Sequence, residues 1–377
     1  MKQIELGTIL HMEKGKKPKK QSKEIEDGFL PYVDIKAFEK GIVDSYASPE
    51  KCVLCDDGDL LIVCDGSRSG LTGRAVKGVV GSTLSKISAD GLTTEYLRYF
   101  IQSKYTLLNT QKKGTGTPHL NAQILKQSKL IVTPLPEQER IVARIEELFS
   151  ELDKAVETLK TTKQQLAVYR QAVLKEAFKK CDKTVTVESV CQHVTDGDHM
   201  PPPKTPSGIP FIMISNIDNQ VINWTNTAYV GQDYYNHIDN KRRPCKGDVL
   251  YTVTGSYGVP VLIDFEKQFC FQRHIALLRP NERINQKFLY YAMQEPGVYA
   301  QATKVATGTA QKTVGLAVLR KMEIPYIESI NAQLEIVKKI KTRMSTCDGI
   351  EETVDTALQQ AEAMRQSILK QAFEGRL

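Results

Sequence analysis

Basic side chains cluster on short stretches of this chain that glycine or proline interrupts. The clusters are Lys16 and Lys17 with Lys19 and Lys20, then Lys112 with Lys113, then Lys204, and then Arg242 with Arg243. Gly15 and Pro18 keep the first cluster out of a helix, so we expect its lysines on an extended loop. Lysine and arginine on such loops bind the phosphates of nucleic acid without regard to sequence. A lysine run also forms an ordinary solvated surface, and both interpretations stay open for each cluster.

A second group of polar side chains has the donors and acceptors that read base edges. In the first half of the chain these are Ser67, Arg68, Arg74, Thr115 and Thr117, and in the second half His199, Ser256, Tyr257, Gln272, Arg273, His274, Thr307 and Thr309. Arginine can donate two hydrogen bonds to guanine, and glutamine can pair in the same way with adenine. These residues are therefore candidate base readers in a protein that binds nucleic acid. His199 and His274 are equally compatible with hydrogen-bonded structural histidines.

Catalytic motifs are weak in this sequence. Pro244-Cys245 is the dipeptide of cytosine methyltransferase nucleophiles, but the glycine-rich cofactor loop that should accompany it is missing. The loop Gly66–Gly73 lacks the Gly-Lys-Ser/Thr of a nucleotide-binding P-loop. Asp34-x-Lys36 is half of a nuclease pattern without a further acidic pair. We expect no catalytic residue, and a DNA-modifying enzyme with an unrecognised active site stays an alternative.

A metal site is also poorly supported. Cys52-x-x-Cys55 with Cys64 is the start of a zinc-site pattern, but a structural zinc site needs a second ligand pair at matching spacing. The eight cysteines are otherwise scattered, which does not resemble a disulfide-rich secreted domain. We expect neither a metal nor another cofactor in this chain.

The elements that carry these residues form a repeat. Residues 1–134 alternate short apolar runs with Gly, Pro and Asp, which predicts strands, and residues 181–328 do so again in the same order. Pro31–Ile35 corresponds to Pro210–Ile214, and the two Thr-Gly-Thr loops also correspond. Each region is followed by a long helix, predicted at 135–180 and at 329–377.

The two helices match without a gap. The ending Arg170–Phe178 returns as Arg365–Phe373, and Gln138 returns as Gln333, each 195 positions later. Apolar residues follow a heptad pattern whose members in the first helix are Ile141, Ile145, Leu148, Leu152, Ala155, Leu159, Thr162, Leu166, Tyr169 and Val173. In the second helix they are Ile336, Ile340, Ile350, Val354, Ala357, Ala361, Met364 and Ile368, with Arg343 and Cys347 as weaker members.

A seam this long is typical of a coiled coil, so we expect each helix to pair with the other copy. An antiparallel pair gives a pseudo-twofold molecule with one domain at each end of a rod about 60 Å long. Val142, Phe149 and Val156 widen the apolar stripe, which predicts that helices of another protein dock there. The alternative is that each helix packs separately in the core of its own domain.

Bulk composition is ordinary for a soluble globular protein, with 41% hydrophobic and 25% charged residues. The net charge is +7 and the isoelectric point is about 8.8, which mildly favours an anionic partner. No apolar run reaches the roughly 18 residues of a membrane span, and the N-terminus lacks the apolar core of a signal peptide. We expect a cytoplasmic protein that does not contact a membrane.

The order of these motifs resembles the specificity subunits of Type I restriction–modification systems. The resemblance rests on Pro134-x-Pro136-Glu137-Gln138-x-x-Ile141-Val142, the helix endings Leu174–Phe178 and Leu369–Leu377, and the two Thr-Gly-Thr loops. In the second region Asp196–Pro201, Gly208–Ile212 and Gln272–Leu277 also look like recognition domains of that family. The entry to the second helix departs from the pattern, since Ile330-Asn331-Ala332-Gln333 replaces Leu135-Pro136-Glu137-Gln138.

The resemblance implies an α+β fold: two strand-rich α/β target-recognition domains joined by two long helices that form an antiparallel coiled coil. It implies that each domain reads one half of an asymmetric, bipartite sequence in double-stranded DNA, and that the helices set the distance between the halves. The implied partners are two methylation subunits with S-adenosylmethionine and restriction subunits with ATP and Mg²⁺. The remaining alternative is a coiled-coil scaffold that never touches DNA, although a scaffold has no need of two different basic domains.

Overall fold

The computed structural model describes residues 3–114, 118–308 and 311–377. The chain forms two compact units. Unit 1 consists of the chain up to Leu159 together with Asp355–Leu377, and unit 2 consists of Lys160–Val354. The division crosses both long helices, so each unit contains one strand-rich region and a part of each helix.

The elements follow the predicted order of region, helix, region, helix. The first region contains strands β1 (Gln3–Glu5), β2 (Leu10–Lys14), β3 (Gln21–Ser22), β4 (Leu30–Val33), β5 (Tyr46–Ala47), β6 (Leu54–Cys55), β7 (Leu60–Val63), β8 (Thr72–Arg74), β9 (Gly78–Val80), β10 (Leu84–Ala89) and β11 (Lys129–Ile131). Its helices are α1 (Ile35–Lys40), α2 (Thr94–Ser103), α3 (Tyr105–Thr110) and α4 (Ala122–Gln127), and the long helix α5 (Leu135–Phe178) follows.

The second region contains strands β12 (Lys183–Thr186), β13 (Cys191–Asp196), β14 (Lys204–Thr205), β15 (Ile209–Ile212), β16 (Ile217–Asp218), β17 (Val221–Ile222), β18 (Ala228–Val230), β19 (Val249–Thr252), β20 (Pro260–Leu262), β21 (Cys270–Phe271), β22 (Ile275–Pro280) and β23 (Glu323–Tyr326). Its helices are α6 (Gln232–His237), α7 (Gln286–Ala292), α8 (Pro296–Val305) and α9 (Leu316–Lys321), and the second long helix α10 (Ile330–Phe373) follows.

Both regions have the same sheet topology. Strand order β2-β10-β7-β8 in the first region corresponds to β13-β22-β19-β20 in the second, and the pair β1-β11 corresponds to β12-β23. A further sheet, β3-β5-β4-β9-β6, has its counterpart in β14-β18-β15-β21. Even the single parallel step is repeated, since β4 pairs parallel with β9 and β15 pairs parallel with β21. The fold is therefore the tandem α+β repeat that the sequence predicts.

The core of unit 1 joins its region to one end of each long helix. Ile145 at the start of α5 and Leu369 near the end of α10 are fully buried in the same hydrophobic cluster as Phe100 of α2. Phe373 packs edge-on against Tyr96 and Phe100, with ring centroids 5.1 and 5.3 Å apart. The repeated Leu-Lys-x-Ala-Phe ending thus packs the end of the long helix into the hydrophobic core of the unit.

Unit 2 repeats this arrangement with the helices exchanged. Leu174 and Phe178 at the end of α5 share a core cluster with Ile336 and Ile340 at the start of α10. The Phe178 ring lies edge-on to Phe288 of α7, with centroids 5.3 Å apart. Each region is therefore held by the beginning of one long helix and the end of the other.

A buried glutamine fixes the beginning of each long helix. Gln138 is fully buried and donates to the carbonyls of Gly91 (2.8 Å) and Thr133 (2.9 Å), while its side-chain oxygen accepts from Thr93 N–H (2.9 Å). Thr93 is the N-cap residue of α2, so the glutamine ties two helix beginnings together.

Gln333 makes the equivalent bonds in unit 2. It donates to the carbonyls of Arg283 (3.0 Å) and Ile327 (2.9 Å), and it accepts from the N–H of Asn285 (2.8 Å), which caps α7. The glutamine that the two sequence repeats share therefore has the same structural role in both units.

Within each unit the two long helices run antiparallel. In unit 2, Arg170 forms ion pairs with Asp348 (2.7 Å) and Glu351 (2.9 Å), and further along α5 Glu176 pairs with Arg343 at 2.7 Å. Position increases along one helix as it decreases along the other. In unit 1, Arg365 forms an ion pair with Asp153 and its guanidinium lies 5.0 Å from the centre of the Phe149 ring.

The buried seam is displaced from the prediction by one position in two heptads of α5, whereas Leu148 and Thr162, at the equivalent places of two other heptads, are half-buried as predicted. In α5 the predicted members Leu152, Leu159, Leu166 and Val173 are buried or half-buried, as are Ile141, Ile145 and Leu148. Ala155 and Tyr169, however, are exposed, Tyr169 by 48%. The positions that alternate with the leucines along the seam are one residue later, at Phe149, Val156, Lys163 and Arg170.

The second helix shows the same displacement. Ile336, Ile340, Cys347, Val354 and Ala361 are buried as predicted, whereas Ile350 and Met364 are 42% and 54% exposed. Their places in the seam are taken by Glu351 and Arg365. A search for apolar residues passes over these positions because charged side chains fill them. Their aliphatic stems line the seam while their charged ends form ion pairs.

Neither a metal cluster nor a membrane helix occurs among the residues that the structure describes. No group of three or more His, Cys, Asp or Glu side chains is arranged to hold a metal ion in the described ranges. In the same ranges, no helix is long and apolar enough to cross a membrane. The Cys55 thiol lies near the carbonyls of Val76 and Gly78, and burial raises its pKa to about 11.

Candidate nucleic-acid interface

Four loops of unit 1 are joined edge to edge by main-chain hydrogen bonds. Gly15 N–H, just after β2, donates to the carbonyl of Leu84 at 2.9 Å. The N–H of Cys64, at the end of β7, donates to Thr83 at 2.8 Å, and Gly66 N–H donates to Pro118 at 2.8 Å. The loops that follow β2, β7, β9 and α3 therefore form one continuous surface, which we call loop surface 1.

Asp65 is the central side chain of loop surface 1. Its carboxylate accepts from the Lys14 ammonium at 2.6 Å and contacts His119 Nδ1 at 2.7 Å. Burial acts to raise the pKa of the Asp65 carboxyl, but the hydrogen bonds from Lys14 and His119 outweigh it and hold that pKa below its ordinary value. The sequence analysis missed Asp65 and His119. Their signal was a polar residue directly after a buried strand and a second one beside a flexible loop.

The predicted lysine cluster follows Lys14, a partner of this carboxylate, in the sequence. Lys16, Lys17, Lys19 and Lys20 are all exposed on a segment without regular secondary structure, while Pro18 between them is buried. Lys19 forms a salt bridge with Glu50 at 3.2 Å, and both side chains remain mostly exposed. Exposed pairs of this kind are weak and easily exchanged, so the whole segment is accessible to a phosphate.

The remaining predicted residues of unit 1 fall into two groups. Lys112 donates to the carbonyl of Ser67 at 2.7 Å, which brings the second basic cluster onto loop surface 1 beside the exposed Ser67. Arg68 and Arg74 instead form ion pairs within the unit, Arg68 with Glu39 and Arg74 with Glu95 at 2.7 Å. Base contact by either arginine would require that its ion pair open.

One predicted loop is only partly described. The main chains of Lys113 and His119 exchange hydrogen bonds of 2.9 and 2.8 Å, which close the base of the loop between them. Thr115 and Thr117 lie outside the described residues, as does Thr309 in the second region. The structure therefore fixes where this loop begins and ends.

Unit 2 assembles the same loops into loop surface 2. Val253 N–H donates to the carbonyl of His274 at 2.9 Å, and Gly255 N–H donates to Lys312 at 2.9 Å. Thr307 and Thr313 close a loop base as Lys113 and His119 do, with main-chain bonds of 3.1 and 2.8 Å. By these bonds Thr307 corresponds to Lys113, two positions away from the correspondence that the Thr-Gly-Thr motifs predict.

Acidic side chains organise loop surface 2 as well. Asp196 at the end of β13 lies 2.7 Å from His199 Nε2 and 3.5 Å from the Arg242 guanidinium. Asp198 accepts a hydrogen bond from the Tyr234 hydroxyl, a residue that the sequence analysis did not single out. Burial acts to raise the pKa of Asp198, but the bonds from Tyr234 and from neighbouring N–H groups hold it below its ordinary value.

Gln272, Arg273 and His274 lie together at the centre of loop surface 2. Arg273 is exposed, and Gln272 and His274 are half-buried. Burial, with a smaller contribution from Arg273, lowers the pKa of His274, so the ring is neutral at neutral pH and can both donate and accept a hydrogen bond. Ser256 is exposed. The ring of the next residue, Tyr257, stacks on Tyr299 with centroids 5.9 Å apart.

The basic residues predicted in the second region differ in availability. Lys204 is exposed on β14. Arg243 donates to the carbonyls of Ile238 (2.9 Å) and Asn236 (2.5 Å), and its guanidinium lies 5.2 Å from the Tyr235 ring centre. These contacts give Arg243 a structural role, because releasing it would leave two carbonyls without their donor.

A family model described as "Type I restriction modification DNA specificity domain" matches this chain twice, at residues 1–167 and 184–360. The chain is 24% identical to the Type I restriction enzyme MjaVIII specificity subunit of Methanocaldococcus jannaschii, over 99% of this chain and 92% of that protein. It is 23% identical to the EcoBI specificity subunit of Escherichia coli, over 93% of this chain and 81% of that protein.

Two solved structures have the same fold. One, reported under "Structural basis underlying complex assembly and conformational transition of the type I R-M system", matches with a TM-score of 0.74 at 19% identity, over 100% of this chain and 98% of the other. The HsdS subunit from Thermoanaerobacter tengcongensis matches with a TM-score of 0.52 at 18% identity, over 100% and 97% of the two chains.

Proposed function

Since the chain belongs to the Type I restriction–modification DNA specificity family, we propose that it recognises an asymmetric, bipartite DNA sequence and carries no catalytic site of its own. The observation that carries this proposal is the repetition of one loop surface with different side chains. Lys16, Lys17 and Ser82 in unit 1 stand where unit 2 has Asp198, His199 and Arg273. Two half-sites of different sequence require the same main-chain arrangement to carry different side chains in the two units.

Phosphate contacts come from exposed lysines and from the half-buried Arg242. Lys16, Lys17, Lys20 and Lys113 contribute in unit 1, and Lys204, Arg242 and Lys312 in unit 2. Each phosphate contact that is lost should reduce the slope of log affinity against log salt by about 0.9. Base contacts come from Ser67, Thr115, Thr117 and Thr309, and from Ser256, Tyr257, Gln272, Arg273, His274 and Thr307. His199 orients Asp196, and Arg243 supports the loop rather than contacting DNA.

The long helices dock the methylation subunits. Tyr169 and Ile350 each precede a seam residue, Arg170 and Glu351, that pairs across the seam of unit 2 at 2.9 Å. In an antiparallel pair, positions one residue before the seam lie on the same side, so both exposed apolar side chains face outwards together. Ala155 and Met364 hold the equivalent positions in unit 1. An exposed apolar stripe repeated in both units suits two copies of one partner.

The partners supply the chemistry. Two methylation subunits carry S-adenosylmethionine, restriction subunits carry ATP with Mg²⁺, and the whole complex acts on DNA in the cytoplasm. The second candidate function is a scaffold that joins proteins without reading DNA. The apolar stripes on the helices favour it, but it gives no reason for loop surfaces 1 and 2.

Exchange of one region tests the proposed function. Residues 181–328 are replaced with the corresponding segment of another specificity subunit, and the methylated sequence is determined in cells that also contain the methylation subunit. We expect one half of the target to change and the other half to stay the same. A target that changes in both halves would exclude independent reading, and a complex that assembles yet methylates without sequence preference would favour the scaffold.

A further inference from the structure

One short turn is built identically in the two units. In unit 1 it consists of residues 81–84 between β9 and β10, and in unit 2 of residues 272–275 between β21 and β22. Leu84 N–H donates to the carbonyl of Gly81 at 2.9 Å, and Ile275 N–H donates to Gln272 at 3.1 Å. Gly81 N–H donates to Val33 at 2.8 Å, as Gln272 donates to Ile212 at 3.0 Å.

The third residue of the turn is fixed in the same way. The carbonyl of Thr83 accepts from Cys64 N–H at 2.8 Å, and that of His274 accepts from Val253 N–H at 2.9 Å. One corresponding main-chain hydrogen bond therefore closes each turn, and two more hold it against β4 or β15 and against the residue that follows β7 or β19. None of these bonds involves a side chain of the turn.

A glycine of a neighbouring loop closes on each turn. A Cβ atom on Gly15 would lie 2.2 Å from the carbonyl oxygen of Gly81, and one on Gly197 would lie 2.6 Å from the carbonyl oxygen of Gln272. These approaches are too close for any residue with a side chain, so the loops after β2 and β13 press directly on the turns. The main chain is thus rigid from both sides.

The side chains on this common frame are different. The middle residue is Ser82 in unit 1 and Arg273 in unit 2, and the next is Thr83 or His274. Ser82 is half-buried and Arg273 is exposed. Arg273 forms no salt bridge with a described residue, in contrast to Arg68, Arg74 and Arg242. A guanidinium without an ion pair on a rigid support is prepared to donate two parallel hydrogen bonds.

We infer that the middle residue of this turn determines specificity in each unit, with Arg273 reading a guanine in one half-site and Ser82 reading a base in the other. The inference rests on the proposed function, since it names the residues through which the loop surfaces choose their sequence. Arg273 would donate to O6 and N7 of guanine, and His274 would stand beside it as a neutral donor or acceptor. Ser82 has a shorter reach and pairs with either type of base, so the two half-sites differ at this point.

The test compares Arg273→Ser with Arg273→Lys in the chain assembled with its methylation subunit. Binding is measured on a set of DNA duplexes in which each base pair of the target is replaced in turn. For Arg273→Ser we expect the preference for guanine at one position of one half-site to fall about ten- to a hundred-fold, and for Arg273→Lys by a smaller factor, because an ammonium lacks the planar fork that donates two parallel hydrogen bonds. The other half-site stays unchanged, because its turn is in unit 1.

The two variants separate base reading from phosphate binding. A phosphate contact needs only the charge and gives no base preference, so Arg273→Ser with undiminished preference would overturn the inference. Equal weakening on every duplex would overturn it as well. Lys287→Ser, at an exposed position of α7 in the same unit, is the matched control for the loss of one positive charge. It should leave the preference at every position intact.

The reciprocal variant, Ser82→Arg, covers the possibility that changes at 273 disturb folding. It should alter the preferred base at one position of the first half-site only, and a target read as before would overturn the inference for unit 1. If the wild-type complex bound DNA without any sequence preference, both the proposed function and the role assigned to the turn would be refuted. If both Arg273 variants kept the preference for guanine, only the role assigned to the turn would be refuted.

Discussion

At the scale of single residues, the loop surfaces contain two kinds of cation. Lys16, Lys17 and Arg273 are exposed without a salt bridge to a described residue, whereas Arg68 and Arg74 already pair with carboxylates. Residue type alone does not separate the two kinds, because the carboxylates that bind the arginines come from distant positions in the sequence. Glu39 and Glu95, for example, belong to α1 and α2.

The buried glutamines give the first stability prediction. Gln138→Met removes three hydrogen bonds, and it leaves the main-chain N–H of Thr93 without its acceptor in the interior of unit 1. We expect the free energy of unfolding to fall by about 1–3 kcal/mol, the usual cost of a buried unsatisfied group. Thermal unfolding of the purified chain measures this loss.

A control on the same helix isolates the hydrogen bonds. Gln164→Met introduces the same side chain at an exposed position of α5 and should change the midpoint of unfolding very little. Equal midpoints for Gln138→Met and Gln164→Met would show that the bonds of Gln138 contribute no stability. The repeated glutamine was visible in the sequence, but its partners were not, since they lie in turns that no periodicity marks.

At the scale of elements, the long helices show how far a sequence pattern reaches. The heptad period and the leucine positions of the seam follow from apolar spacing, and the antiparallel pairing was expected from the tandem repeat. The alternate seam positions do not, because Arg170, Glu351 and Arg365 occupy them. Charged residues are excluded from a core by the ordinary rule, and only the ion pairs with their neighbours reveal that these three belong there.

Because the seam is displaced by one residue, substitutions at Tyr169 and at Arg170 should have different effects. Arg170→Asp places a carboxylate opposite Asp348 and Glu351 in unit 2, so we expect the helix pair to be destabilised and the unfolding midpoint to fall. Tyr169→Asp changes a side chain that is 48% exposed and should leave the midpoint nearly unchanged. It should instead weaken binding of the methylation subunit, because it puts a charge into the apolar stripe.

Thermal unfolding of each variant, followed by co-purification with the methylation subunit, measures the two effects separately. If Tyr169→Asp unfolded at a much lower temperature than the wild type, Tyr169 would belong to the seam as the apolar pattern predicts. If it bound the methylation subunit with wild-type affinity, the exposed stripe would not be the docking surface.

At the scale of the whole molecule, the tandem repeat was readable from the sequence, and the loop surfaces were not. The helix endings recur at one constant separation and the strand patterns recur in the same order, which is enough to predict two similar domains. The side chains that each loop surface brings together come from four separate loops. His119 and Asp65 are 54 positions apart, and only the sheet topology places them 2.7 Å from each other. For the same reason the equivalence of Ser82 with Arg273 is a product of the fold.

The proposed ruler gives the last prediction, which concerns the length of the helices. Removing seven residues from α5 at 152–158 together with the seven that face them in α10 at 360–366 keeps the heptad register, since Asp153 pairs with Arg365 in unit 1. Two turns of helix are about 10 Å long at 1.5 Å per residue, which corresponds to roughly three base pairs of DNA. We expect the recognised half-sites to remain the same while the spacer between them shortens by about that number of base pairs.

The methylated sequences of cells that express the variant complex reveal the spacer directly. Deletion of 152–158 alone leaves the two helices unequal in length and should abolish assembly. An assembled double-deletion complex with an unchanged spacer would refute the ruler.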